Sequence, residues 1–490
     1  MKVLFARTAF YFLISYFYRM RIFLSVVFCL FILTGFSQTT TQKLEKAYSI
    51  LENDPQLKYG SASLTVLSGE NGEVVFSRNG NTGLAPASTL KTITAATAYH
   101  LLGPDYTWKT TLGYSGSISA DGTLTGNLIL TGGGDPSLGS WRYNETKPDV
   151  LMNKWVQAIR ERGIKKIIGR LITDDTLFGS QSLPTGWVWQ DIGNYYGAGT
   201  NSLSWQENQF DLIFKPGAKT GDPAVLLRTT PDMSYLKIVN EVKTGKPGSG
   251  DNVYAFSAPY SSLIYLRGTY GIDLKKTISA SVPDPALELA FRLQDTLEKL
   301  NVEFSLPAIT GRALLSDNIR FLPVEKVLAM HTSPSLSQIV YWFNQKSINL
   351  YGEHLVKSIA LEKGKEAETT LGVNAIKEFW NGKLGIDEDA MNVIDGSGLS
   401  SGNRITTLAM ARILVSARKE PWFKTYFDSF PKFNNMKMKS GSINDVLAYT
   451  GYETNTSTGT PFVFSIMINN YNGSSSAVRQ KMFKVLDMLK

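Results

Sequence analysis

A chain of 490 residues with 43% hydrophobic and 11% aromatic content can bury large cores, is too apolar to be disordered, and is long enough for about two to four domains. Its formal net charge is +8, but Lys2, Arg7, Arg19 and Arg21 precede residue 38 with no acid among them, so the remainder carries +4 (46 basic residues against 42 acidic). So mild and scattered an excess argues against nucleic acid as a partner.

From Met20 the chain reads MRIFLSVVFCLFILTGFSQ, a basic start, an apolar run, and the small residues Gly35 and Ser37 before a cut at Gln38. This is the pattern of an export signal. Residues 1–19 then read as upstream sequence, with an uncleaved apolar anchor as the alternative. Cys29, the only cysteine, falls inside this segment. The mature chain is therefore expected to lack thiol chemistry, disulfides and cysteine metal sites. No later stretch is long and apolar enough to span a membrane.

Next, SASLTVLSGENGEVVFSRN (61–79) carries two strand-like runs around the turn Glu70-Asn71-Gly72. The segment LAPASTLKTITAATAYHLLG (84–103) follows. A helix starting near Ser88 would align Leu90, Ile93, Ala96, Thr97, Leu101 and Leu102 on a buried stripe. Lys91, three residues after Ser88, could then reach back over the first turn to the hydroxyl. Desolvation would lower its pKa, making it a usable base, and the helix N-terminus would favour negative charge nearby. A serine cap followed by a solvated lysine fits the same four residues.

From 107 to 320 the texture is short β-rich runs broken by Gly, Pro, Asn and Asp, with a nested unit near 205–275 that includes the loose KTGKPGSGDN. From about 323 helical patterns return in VEKVLAM, LSQIVYWFNQ, NLYGEHLVKSIALEKG and RITTLAMARILVSARK. Strand-like VLAYTGYETN and FVFSIMINNY and a final helix, AVRQKMFKVLDMLK, end the chain. This order predicts an α/β catalytic domain in two pieces, 38–106 and 321–490, interrupted by a β-rich insert at 107–320 after a 1–37 leader.

Three histidines, His100, His331 and His354, are too few and too dispersed for a zinc pattern, so no metal is expected. GLSSG at 398–402 matches a hydrolase elbow around Ser400, yet that arrangement needs a histidine after the serine, and the last one is His354. Ser88 has better company. Ser347-Ile348-Asn349 and Lys439-Ser440-Gly441-Ser442 follow it, and the order S-x-x-K, S-x-N, K-[ST]-G marks serine enzymes that acylate on penicillin.

With these elements, and with GNLILTGGGDPSL (126–138), TDDTLFGSQSLPTGWVWQD (173–191), QKSINLYGE (345–353) and DGSGLSSGNRIT (395–406), nearly the whole mature chain resembles the peptidase S13 group. These are D-alanyl-D-alanine carboxypeptidases and endopeptidases, also called class C low-molecular-mass penicillin-binding proteins. The resemblance implies a transpeptidase-like α/β fold, an antiparallel sheet flanked by helices. It assigns GLSSG to a family loop. Two departures stand out: Ile348 replaces the usual aspartate of S-D-N, and Ser440 replaces the threonine of K-T-G.

By the resemblance, neutral Lys91 deprotonates Ser88, Ser347 relays the proton to the leaving amine, a charged Lys439 keeps that relay in a positive field, and Asn349 holds the substrate amide. Backbone N–H groups of Ser88 and Ser442 would form the oxyanion hole. The hydroxyls of Ser440 and Ser442, beside Gly441, suit the terminal carboxylate, and Asp174 would meet the amine of the peptide's third residue. The implied ligands are peptidoglycan stem peptides and β-lactams, without a cofactor, in the periplasm; the resemblance leaves peripheral membrane association and oligomeric state open. A β-lactamase and a catalytically weak peptidoglycan-binding protein are the competing readings.

Overall fold

The computed structural model describes residues 38–490 together with 16 and 18–21. The export-signal reading, with Cys29, Gly35 and Ser37, lies outside the described residues.

The two ends of the chain build one antiparallel six-stranded sheet. Its order is Lys432–Phe433, Met436–Ile443, Val446–Thr454, Pro461–Asn469, Ser61–Ser68, Val74–Arg78. Ser61–Ser68 is buried over almost its whole length, whereas in the edge strand Val74–Arg78 only Phe76 is buried. Helices Thr40–Glu52 and Ser475–Leu486 cover one face, where Leu44, Tyr48, Leu51, Val478 and Met482 pack on Leu64, Phe464 and Ile466. The other face carries the larger helical core, in which Ile93, Phe343, Leu355, Trp380 and Met410 meet Val463 and Met467. A sheet with both faces covered explains why its central strands are apolar without alternation.

Between these pieces the chain forms a separate mixed seven-stranded sheet with its own core. The helices Pro148–Glu161 and Pro285–Glu298 pack into that core through Leu151, Trp155, Leu289 and Leu293. The β-rich texture had hidden both helices, because their polar faces dilute the apolar signal. A nested unit with a further core runs from Phe210 to Val282.

One expectation is corrected. VEKVLAM was read as helical, but Lys326–Thr332 is a strand that pairs antiparallel with Lys109–Ile118. Over so short an apolar run both periods fit, and the waiting sheet edge decides. Lys326–Thr332 thereby joins the seven-stranded sheet as an edge strand.

The insert is locked to the catalytic domain by a buried acid. Glu207 Oε1 accepts from Arg142 Nε at 2.7 Å, Ser140 Oγ at 2.8 Å and, across the boundary, the Tyr351 hydroxyl at 2.9 Å. His354, one turn further along the same helix, bonds the Gly134 carbonyl and Ser204 Oγ of the insert. Replacing Glu207 by Ala leaves a partly buried Arg142 without its counter-charge and the Tyr351 hydroxyl without its acceptor, at a cost of about 3 kcal/mol. Urea unfolding of Glu207→Ala is expected to show a clearly lowered midpoint; an unchanged midpoint would contradict this role.

Candidate active site

The nucleophile candidate sits where the chain is strained. Ser88 lies in a tight 3-10 turn, Ala87–Leu90, that leads into the helix Lys91–Leu101. The sequence had suggested an α-helix from Ser88 onward. Ala87 adopts φ +45, costly for a residue with a side chain. The conformation is held from outside, since Gly398 approaches so closely that a Cβ there would stand 1.9 Å from the Ala87 carbonyl oxygen.

Lys91 is fully buried. Its Nζ lies 2.9 Å from Ser88 Oγ, 2.6 Å from Asn349 Oδ1 and 2.6 Å from the Ser397 carbonyl oxygen. The last two can only accept, so they occupy two N–H bonds of the amine. In the neutral form the remaining lone pair faces the serine hydroxyl, the geometry a general base needs. Burial lowers the Lys91 pKa to about 7, against the opposing pull of Asp395 and Glu353. An amine that would be an inert ammonium in water is thus partly free at neutral pH.

Facing this pair is a second. Ser347 stands between the helices Leu336–Gln345 and Asn349–Glu362, in the left-handed region at φ +57. Lys439 Nζ donates to Ser347 Oγ at 3.0 Å and to the Ser440 carbonyl at 2.8 Å. Burial and the nearby Lys91 push the Lys439 pKa well below its ordinary value. Lys91 has two carboxyl groups supporting its charge, whereas Lys439 has no ion pair among the described residues. A bound anion would restore its charge.

Ser440, Gly441 and Ser442 lie on Met436–Ile443, whose outer edge is covered by Lys432–Phe433 only at Met436 and Lys437. Residues 439–443 therefore offer an open strand edge beside the serine, a ready template for an extended peptide. Gly441 makes the approach possible: a Cβ there would be 2.5 Å from the Pro86 carbonyl oxygen and 2.9 Å from Ser88 N. Ile348 packs against the apolar core, so its lost polarity leaves Ser347 and Asn349 in place.

Asp174 is engaged within its own turn. Its Oδ1 accepts from Thr176 N and Oγ1, and it makes no hydrogen bond to the catalytic side chains. The neighbouring Asp175 is buried against Arg312. The insert reaches the site through a later stretch, where Asn349 Nδ2 donates to the Tyr196 carbonyl at 2.8 Å. That stretch carries Asp191, half-buried and within 3.4 Å of the Tyr196 hydroxyl; burial raises its pKa. The sequence signal for Asp191 was its place at the end of GWVWQD.

The loop after Asn392 carries the DGSGLSSGNRIT segment and also belongs to the surroundings of Lys91. Asp395 gathers the N–H groups of Gly398 and Ser400, Asn403 Nδ2 and Trp187 Nε1, and this knot aims the Ser397 carbonyl at Lys91. Ser400, the rejected elbow serine, is buried and donates to the Gly186 carbonyl. The histidines stand apart from Ser88, His100 packed among Phe379, Trp380 and Trp422, and His331 3.7 Å from the buried Asp135. Among the described residues no cluster of His, Cys, Asp or Glu could hold a metal ion.

Gly441→Ala must push the edge strand away from Ser88. Misplacement of that order is expected to lower kcat/KM about 100-fold, while thermal unfolding shifts far less; equal kinetics would show that the close approach is dispensable.

The model of the D-Ala-D-Ala carboxypeptidase 3 (S13) family matches residues 43–489. Among curated relatives, the D-alanyl-D-alanine carboxypeptidase of an Actinomadura species is 28% identical over 460 residues, 88% of this chain and 82% of that protein. D-alanyl-D-alanine carboxypeptidase DacB of Haemophilus influenzae is 24% identical over 430 residues, 82% of this chain and 83% of that one. The solved structure of penicillin binding protein 4 from H. influenzae has the same fold, with a TM-score of 0.76 at 22% identity, covering 90% of this chain and 98% of that one. A further structure of that protein, complexed with a β-lactam, aligns with a TM-score of 0.71 at 21% identity, covering 92% and 100%. Because the family match runs unbroken through Ser88, the insert, Ser347 and Lys439, the chain belongs to the D-Ala-D-Ala carboxypeptidase 3 (S13) family of serine peptidases.

Proposed function

We propose that this enzyme removes the terminal D-alanine from peptidoglycan stem peptides through an acyl-enzyme on Ser88. The observation that carries the reading is the 2.9 Å approach of Lys91 Nζ to Ser88 Oγ, with the other N–H bonds of the amine already committed. The stem peptide lies along the open edge at 439–443. Lys91 accepts the Ser88 proton as Oγ adds to the carbonyl carbon between the two D-alanines. Backbone N–H groups of Ser88 and Ser442 take up the developing oxyanion, at about 3–4 kcal/mol per donor.

Collapse breaks the C–N bond. The proton that Lys91 took from Ser88 passes through Ser347 Oγ to the leaving nitrogen, which returns Lys91 to its neutral form, and free D-alanine departs. Water then attacks the ester, passes its proton to Lys91 and returns Ser88. The terminal carboxylate, held by the Ser440 and Ser442 hydroxyls, supplies the counter-charge that Lys439 otherwise lacks.

The same site acts on cross-links, where the leaving amine belongs to a neighbouring stem, and it is acylated by β-lactams. The β-lactam-bound relative supports that last point. Export across the inner membrane, expected from the leader, puts the enzyme with its substrate. In place of Asp174, Asp191 is the acid assigned to the amine of the third residue, since it shares a short segment with the Tyr196 carbonyl that touches Asn349.

Intact mass of residues 38–490 treated with benzylpenicillin is expected to rise by one drug and to stay raised, and Ser88→Ala is expected to abolish the adduct. No adduct on folded protein would favour a binding protein, and rapid drug hydrolysis a β-lactamase. On stem peptides with a free amine at the third residue, Asp191→Asn is expected to lower kcat/KM about 10-fold or more, the scale of one lost charged hydrogen bond. Asp174→Asn should behave as wild type; the reverse pattern would restore Asp174.

A further inference from the structure

A second buried acid lies beneath the nucleophile, and the steps above make no use of it. Glu353 stands one turn after Asn349 on the helix Asn349–Glu362 and is 1% exposed. Its two carboxyl oxygens accept from Gly396 N, at 3.2 Å and 3.1 Å. Gly396 itself allows the close packing, since a Cβ on it would meet Val356 Cγ2 at 2.4 Å and the Gly352 carbonyl at 2.5 Å. From the other side Thr94 Oγ1, on the Ser88 helix, donates to the Gly396 carbonyl at 2.7 Å. The next residue, Ser397, presents the carbonyl that holds Lys91.

A carboxyl group so placed touches the catalytic amine in two ways, through the loop it braces and through its charge. The titratable groups facing it are Lys91 from the Ser88 helix, Asp395 from the loop and Lys357 from its own helix one turn on. Burial, reinforced by Asp395, pushes the Glu353 carboxyl up to about 8, into the range where Lys91 changes charge. An acid and an amine that titrate together in a dry cage exchange protons as a pair, not as independent groups. When Glu353 is ionised it supports the Lys91 ammonium; when it is protonated it leaves the amine free.

We propose that Glu353 is a positioning residue for acyl transfer: it ties the Asp395–Gly398 loop to the Asn349 helix and, through its own proton, governs whether Lys91 meets Ser88 as a base. The inference rests on the assignment of Ser88 and Lys91 as nucleophile and base. The chain brings Glu353 there because it lies four residues after Asn349, so the helix that presents the substrate-binding amide also presents the acid.

The test is the pH dependence of kcat/KM for D-alanine release from a D-Ala-D-Ala peptide, compared between wild type and Glu353→Gln. Glutamine keeps the volume and one acceptor for Gly396 N but cannot carry charge. Because the glutamine amide stands in for the protonated acid, the acid limb, which reports Lys91 in the free enzyme, is expected to stay at its wild-type position. The plateau rate should stay within a few-fold, whereas Glu353→Ala, which also removes the brace, should lose rate at every pH. An acid limb displaced to lower pH in Glu353→Gln would show Glu353 already ionised where Lys91 titrates and would overturn the titrating role.

An infrared measurement on wild type needs no variant. The carbonyl band of a protonated carboxylic acid should be present near neutral pH and vanish as pH rises past about 8; absence of that band would equally overturn the proposal. Failure of wild type to release D-alanine would count against the Ser88 and Lys91 assignment, which keeps the two failures distinct.

Discussion

The structure turns on one amine kept out of water. An ammonium of this kind is stable in solvent and useless as a base; burial reverses both properties, at the expense of a desolvated group that must be held by hydrogen bonds. Lys91 makes them with three separate parts of the chain, Ser88 on its own turn, the Asn349 amide oxygen on a helix more than 250 residues later, and the Ser397 carbonyl on a loop beyond that. Each contact exists only if the corresponding element docks correctly. The strain at Ala87 and Ser347 follows from the same requirement, because both residues are held off the comfortable backbone regions by the packing that sets the site.

The two lysines share an environment but not a role. Lys91 sits over carboxyl groups that temper its loss of charge, whereas Lys439 faces hydroxyl and carbonyl oxygens alone. Asymmetry of this sort separates the functions of like groups in a small space. It leaves Lys439 without an anionic partner among the described residues.

The insert is more than an appendage. It sends Tyr196 to Asn349, Trp187 to Asp395 and Gly186 to Ser400, and Glu207 and His354 bind the two domains through buried polar contacts. Polar contacts of that kind demand specific partners and specific angles. They fix how the insert sits over the cleft more strictly than apolar packing would, and that placement decides which insert residues can reach a bound peptide.

The sequence by itself determined the chemistry: the spacing of Ser88 and Lys91, the Ser-x-Asn and Lys-Ser-Gly elements in order, and the long buried strands and amphipathic helices whose periods are strong. These are local properties, set by which residues share a face or a turn. Tertiary structure alone decided the rest. VEKVLAM became a strand because a sheet edge was free beside it. Asp174 Oδ1 bonded to Thr176 within its own turn, Asp191 came beside the Tyr196 hydroxyl, and Glu353 came to brace the loop whose Ser397 carbonyl holds Lys91. Charge states and partner choices of buried polar groups depend on what is packed against them, and that is fixed only when segments hundreds of residues apart come together.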